Sequence, residues 1–227
     1  MNKYIKIFII SIISFLAGIC MTNAKEYVPK VRFESLRSDF LPSNEVRKLY
    51  QDSDGFIWIP TYNGLARYDG YDVLSYGTKD VVEGTFNPFV NVVEEDNCKN
   101  LWIGTECGLF RLDKITGNII ADEYPELKDC NISAIIADDS GLWVGGDNGL
   151  YYKDNQKNDF ECLPLSYADG HKLQAVTSIV KDAHMNLWIA SFGNELLRYD
   201  VKKNISYPYD HPILNNSHVL KFDSHEN

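Results

Sequence analysis

An all-β chain assembled from repeated four-stranded antiparallel sheets is the fold class this sequence predicts, and three observations carry the prediction. Four tryptophans, Trp58, Trp102, Trp143 and Trp188, stand 44, 41 and 45 residues apart. Each has an acidic companion upstream: Asp52, Asp96 and Asp182 lie six residues before their Trp, and Asp138 lies five before. Another follows downstream, Asp69, Asp113 and Asp154 at eleven residues and Asp200 at twelve. Between these markers apolar residues alternate with a period of two, not the 3.6 of a helix. A repeat of this length outranks any local motif as a guide to architecture.

The elements of the first unit can be taken in order. "NEVRKLYQD" (44–52) reads as a strand closed by an Asp turn, followed by "FIWIPT" (56–61), "LARYD" (65–69) and "DVLSYG" (72–77). Asp54-Gly55, Asn63-Gly64 and Asp69-Gly70 separate them. Asn-Gly between apolar runs is a strong hairpin signal and predicts a type I′ turn with positive φ at both central residues. Gly108 and Gly149 hold the matching place in the next two units, and Gly193-Asn194 in the fourth, with one extra residue, predicts a bulged or longer hairpin.

The Trp strand is apolar without alternation, as in Leu101-Trp102-Ile103, which marks a strand covered on both faces. A small sheet held between two others fits a radial stack, so the fold expected is a β-propeller. Gly104, Gly145 and Ala190, two residues after their Trp, are small enough for a neighbouring sheet to approach closely. The first unit has Pro60 there, and a proline in a central strand predicts a local distortion. The blades are expected at about 44–77, 88–124, 130–163 and 174–209. "VRFES" (31–35) reads as a ring-closing strand and 217–227 as the start of a fifth blade, leaving the ring incomplete.

Four equivalent indoles argue for architecture, with each Trp filling the gap between adjacent blades. Arg67/Asp69, Arg111/Asp113 and Arg198/Asp200 lie at i,i+2 on one strand face and predict structural ion pairs. Residues 1–24 read as a signal peptide: a basic start, the apolar run "IFIISIISFLAGICM", and small residues before a cut after Ala24. Ile19 stands where a lipoprotein signal before Cys20 needs a small residue. Residues 25–227 are then the exported domain, and loss of Lys3 and Lys6 moves the formal charge from −10 to −12. Such an acidic domain is a poor partner for nucleic acid, although a local basic patch could overrule the bulk figure. Cys98 and Cys107 flank one strand and cannot pair with each other, and with Cys130 and Cys162 they fit no zinc spacing. No metal and no cofactor are expected.

"LPSNEVRKLYQDSDGFIWIPTYNGLARYDG" (41–70) resembles the two-component regulator propeller repeat, with its leading Leu-Pro-Ser-Asn, Asp turn, Trp strand, Gly-Leu turn and Arg-Tyr-Asp-Gly ending. The match is close in blades one and two, good in three and looser in four. The resemblance implies the periplasmic half of a hybrid two-component system of Bacteroides-like bacteria. The family's propellers sense glycan breakdown products ahead of a β-sandwich, a membrane helix, a kinase core and often a receiver with a DNA-binding domain. Those later parts are expected in a longer parent, anchored in the inner membrane, of which this chain is an N-terminal piece without kinase activity.

On that reading the chain is a ligand-sensing module for an oligosaccharide, and the full-length receptor could be a homodimer. The second-to-third-strand turns carry Tyr62, Asn63, Glu106, Asp147, Asn148 and Phe192, and the blade-to-blade connections carry Phe86, Asn87, Asn131 and Gln174. In a propeller these two loop sets share one face, where aromatic rings can stack on sugars and amides or carboxylates can bond hydroxyls. The alternative is a protein-binding scaffold. A glycosidase or lyase is less favoured, because catalysis wants a carboxylate pair outside the periodic set.

Overall fold

The computed structural model describes residues 40–77, 80–83, 86, 88–121, 124–163, 165, 173, 175–192, 195–209 and 219–221. The signal peptide, the strand expected at 31–35, Asn87, Gln174 and the Gly193-Asn194 turn lie outside them, and of the expected fifth-blade start only 219–221 is described.

Four sheets follow one another along the chain. Blade I is β1 (Tyr50–Gln51), β2 (Ile57–Thr61), β3 (Gly64–Tyr68) and β4 (Val73–Tyr76). Blade II holds β5 (Val81–Glu83), β6 (Val90–Glu95), β7 (Leu101–Thr105), β8 (Gly108–Leu112) and β9 (Ile119–Ala121). Blade III is β10 (Ile132–Ala137), β11 (Gly141–Gly146), β12 (Gly149–Asp154) and β13 (Glu161–Leu163). Blade IV is β14 (Val176–Lys181), β15 (Asn186–Ser191), β16 (Glu195–Asp200) and β17 (Ile205–Tyr209). Three blades are four-stranded meanders, and blade II departs from that plan. There β5, from the connection out of blade I, adds parallel to the outer strand β9 and makes five.

The apolar cores lie between the sheets. Trp58 and Leu65 of blade I pack with Val93, Leu101, Ile103 and Leu112 of blade II. Trp102 and Val92 pack with Ile132, Ile135 and Val144 of blade III, and Trp143 and Leu150 with Val176, Ile179 and Ile189 of blade IV. Alternate residues of one central strand therefore serve two cores, which is why the strand is apolar throughout. Trp58, Trp102 and Trp143 are buried, while Trp188, on the far face of blade IV, is half-buried. The opposite end of the stack exposes Leu49, whose counterparts Val93, Ile135 and Ile179 are buried.

The small residues do what their spacing predicts. A Cβ on Gly104 would stand 2.6 Å from Ile132 Cγ2, and one on Gly145 would stand 2.4 Å from Val176 Cγ1. Pro60 produces the distortion expected in blade I. It has no N–H to donate, so β1 shrinks to two residues, with one isolated bridge from Val46 to Thr61 beyond the gap. The other inner strands each carry a bulge, at Asn91, Ser133 and Thr177.

Two local expectations are corrected. The hairpins between the second and third strands are not type I′: Gly64, Gly108 and Gly149 take φ of 129°, 115° and 119°, but Asn63, Cys107 and Asn148 do not take positive φ. Thr61 and Thr105 hold their turns instead, each Oγ1 donating to the glycine carbonyl at 2.8 and 3.0 Å. The Arg-x-Asp pairs are likewise not ion pairs in essence. Asp69 Oδ1 accepts the amides of Tyr71 and Asp72, both at 2.8 Å, and Asp113 Oδ1 those of Ile115 and Thr116 at 2.8 and 3.2 Å. The arginines turn to other partners: Arg67 lies 4.4 Å over the Phe56 ring, Arg198 lies 5.0 Å over Tyr207, and Arg111 donates to Asn100 Oδ1 at 3.3 Å.

Candidate ligand-binding face

At one end of blades I and II the turn between the second and third strands meets the segment entering the next blade: Gly64 N donates to Pro88 O at 2.7 Å and Gly108 N to Cys130 O at 2.8 Å. In blade IV the same turn is tied to the segment entering its own blade, Phe192 N donating to Ala175 O at 2.8 Å. This is the face on which the sequence-derived site residues were sought. Tyr62 is exposed there, its ring 4.3 Å from that of Phe89 with the Arg47 guanidinium 5.6 Å over it, and Asn63 is exposed beside it. Asn131 and Asp147 meet: Asp147 Oδ1 accepts the Asn131 amide and the Cys130 thiol, each at 3.1 Å. Asn91 Nδ2 then joins blade II to the pair through Asn131 Oδ1 at 2.9 Å and Ile132 O at 3.0 Å. Burial, with Asp147 adding, pushes the Cys130 thiol up to about 12.

The remaining residues scatter. Asn148 and Phe192 are exposed on their own turns, and Glu106 is half-buried, its amide bonded to Phe89 O at 3.1 Å. Phe86 is a core side chain, buried edge-on against Phe110 at 5.1 Å, because its ring is taken up by the core between blades I and II; it offers no face for stacking. Asn87 and Gln174 lie outside the described residues. Phe89, Arg47 and Asn91 were missed. Asn91 had a signal, since it is a polar residue in the same bulge slot as Ser133 and Thr177, inside otherwise apolar strands.

The opposite end of the blades carries the fixed chemistry of the repeat. The upstream Asp accepts the indole N–H of its Trp: Trp58 to Asp52 and Trp102 to Asp96 at 2.8 Å, Trp143 to Asp138 and Trp188 to Asp182 at 3.1 Å. Its other oxygen caps the turn. Asp52 Oδ1 takes the amides of Asp54 and Phe56 at 3.0 and 2.9 Å. Gly55 takes φ of 90° in that turn, where blades II and IV force Lys99 and Met185 to 64° and 71°. Blade III omits this residue, which explains its spacing of five.

Beside the Asp of blade I lies a cationic staple. Lys114 Nζ donates to Asp52 Oδ2 at 3.2 Å, to Asp54 Oδ2 at 2.7 Å and to Glu95, and Lys99 adds a second contact to Asp54 at 2.7 Å. The three carboxylates have oxygens within 4.8 Å of one another, a spacing a metal ion could bridge, but the Lys114 ammonium already supplies the positive charge there. Burial works against that charge, yet its hydrogen bonds to Asp54, Glu95 and Asp52 hold it well above the usual lysine range. The described cysteines are unpaired, with Cys98, Cys107 and Cys162 exposed.

This frame, successive antiparallel sheets packed through apolar cores and each carrying its own Asp–Trp bond, defines a propeller protein. The two-component regulator propeller family matches residues 41–63, so the chain carries that family's repeat at the head of blade I. Among solved structures it is similar to the extracellular domain of BT4673 from B. thetaiotaomicron, described as a hybrid two-component system, at 28% identity over 70% of this chain and 22% of that one, TM-score 0.58. It is also similar to the corresponding domain of BT3049 from the same organism, at 21% identity over 76% of this chain and 31% of that one, TM-score 0.56. Virginiamycin B lyase from Staphylococcus aureus shares the fold at 18% identity over 77% of this chain and 58% of its own, TM-score 0.58. The chain thus spans less than a third of either of these extracellular domains. No curated protein matches it. Among the described residues no helix is long and apolar enough to cross a membrane.

Proposed function

We propose that this chain is part of the periplasmic ligand-sensing propeller of a hybrid two-component regulator, and that it binds an oligosaccharide on the face bearing Tyr62. The observation that carries the reading is the 28% identity to the extracellular domain of a hybrid two-component system, together with the family match at 41–63. The Tyr62–Phe89 pair supports a sugar ligand: two rings in contact, one of them exposed, form a platform for the apolar face of a pyranose. The Asn91–Asn131–Asp147 network on the next junction is of the kind that bonds hydroxyls. The reading is non-enzymatic. The periodic carboxylates are committed to turn amides, indoles and ammonium groups, and phosphoryl chemistry belongs to a longer parent.

Calorimetry of the chain against a panel of neutral oligosaccharides tests this. One class should release heat, and Tyr62→Ala should weaken its binding roughly tenfold, the worth of one stacking ring. Silence across the panel, or an unchanged affinity in the variant, would reject the assignment.

A further inference from the structure

At the blade I–II junction, on the end opposite Tyr62, lies a cavity of about 470 Å³. Its charged lining is four cations, Arg67, Lys99, Arg111 and Lys114, against two carboxylates, Asp54 and Asp113. In a chain of formal charge −10 this is a local inversion of sign. Leu112, Ile115 and Ile120 give it an apolar wall.

The cations are not equally occupied. Lys114 and Lys99 are bonded to Asp54, and Arg111 to Asn100. Arg67 lies over the Phe56 and Trp58 rings, at 4.4 and 6.0 Å, and feels the charge of Asp69, whose carboxylate is bonded to the amides of its own turn. Its Nε is the one buried side-chain nitrogen or oxygen, among the described residues, without a hydrogen-bond partner. An orphaned buried donor is rare in a folded protein and marks a place where a partner belongs. Held over two rings, the guanidinium is a planar fork, the geometry that matches a carboxylate bidentately.

We propose that this cavity is a second ligand site, taking a small carboxylate whose two oxygens pair with Arg67 and whose carbon skeleton lies along Leu112, Ile115 and Ile120. The site is independent of the one at Tyr62 and stands whether or not neutral sugars bind there. Two sources share the chemistry, an acidic sugar and a free aliphatic acid. Glucuronate and hexanoate separate them, with glucose as the uncharged control.

The test is a titration of the chain with each probe, read by calorimetry and by the NMR resonance of the Arg67 Nε–H. Saturable binding of glucuronate, hexanoate or both, with a shift of that resonance and none for glucose, is the expected result; the tighter acid names the source. Arg67→Gln should weaken binding roughly ten- to hundredfold, as loss of a charged hydrogen-bond pair does. Ile115 is almost fully exposed at the mouth, so Ile115→Glu can repel the ligand without disturbing the core and should weaken binding several-fold even if the arginine variant fails to fold. Absence of saturation with either acid, equal binding of glucose, or unchanged affinity in Ile115→Glu would overturn the proposal.

Discussion

The residue on which each blade turns is the aspartate before its tryptophan. Asp96 accepts the Trp102 indole and the Asn100 side chain on one oxygen, at 2.8 and 2.9 Å, and two backbone amides, both at 2.9 Å, on the other. Asp96→Ala leaves those donors unpaired and should cost about 2–4 kcal/mol in urea unfolding. Met185 points to a gain instead. It takes the left-handed conformation that Gly55 takes freely, so Met185→Gly should stabilise by roughly 0.5–1 kcal/mol, after the extra chain entropy of glycine is subtracted. Glu94 carries a pH dependence. Burial pushes its carboxyl up to about 7, against the attraction of Lys48 and the amide of Ala137. The folded state therefore holds this proton where the unfolded chain has released it, and stability contributed below pH 4.5 is lost as pH rises towards 7. Glu94→Gln should flatten that slope in melts run from pH 4.5 to 7.5.

At the scale of the element, the central strand decides how closely blades stack. Gly145 lets Val176 of blade IV lie against the β11 backbone, and Gly104 does the same for Ile132 of blade III. Neither neighbour is a flexible tip, since Val and Ile are branched at Cβ and stiff. Gly145→Ala should therefore cost about 1–3 kcal/mol by overpacking, with the far-ultraviolet strand signal preserved. Ala190 of blade IV already carries that Cβ and is buried. The inner strands show the complementary device: Asn91 and Ser133, pushed out by bulges, donate to Ile132 O at 3.0 Å and Val176 O at 2.6 Å on the next blade.

Across the whole molecule the junctions differ at one register position, the residue just before the repeated aspartate. It is Glu95 at the I–II junction, Ala137 at II–III and Lys181 at III–IV. Lys181 pairs directly with Asp138, whereas Glu95 needs Lys114 between itself and Asp52. At II–III the polar contact moves outward, with Asn97 donating to Asp139 at 2.7 Å. Removing the ammonium at I–II would strand two buried carboxylates, so Lys114→Met should cost about 3 kcal/mol. Asp138 carries the acid limb. Burial raises its pKa, but Lys181 and Ser140 outweigh that and hold it at about 2. Its contribution is present above the ordinary aspartate value and is lost as pH falls from about 4 to about 2. Lys181→Met should remove that part of the acid transition in a pH-dependent melt.

The division between sequence and tertiary structure follows from range. Period, strand order, the Trp packing and the glycine contacts were legible, because each is a short pattern repeated until chance is excluded; Pro60 announced its distortion by breaking that pattern with a residue that lacks an N–H. The hairpin type was misread because Thr61, three residues from Gly64, holds the turn by a bond that Asn-Gly propensity does not encode. The ion pairs expected within Arg-x-Asp failed because turn amides and aromatic faces compete for the same side chains. The candidate face could be located by strand order, but Phe86 turned inward and Phe89 outward, which depends on how one connection packs. The staples and the cavity at Arg67 were out of reach. Lys114 and Asp52 are 62 residues apart, and Lys181 and Asp138 are 43 apart. Such pairs meet only when two sheets are laid side by side at a fixed stagger, and no local pattern within either sheet contains that stagger.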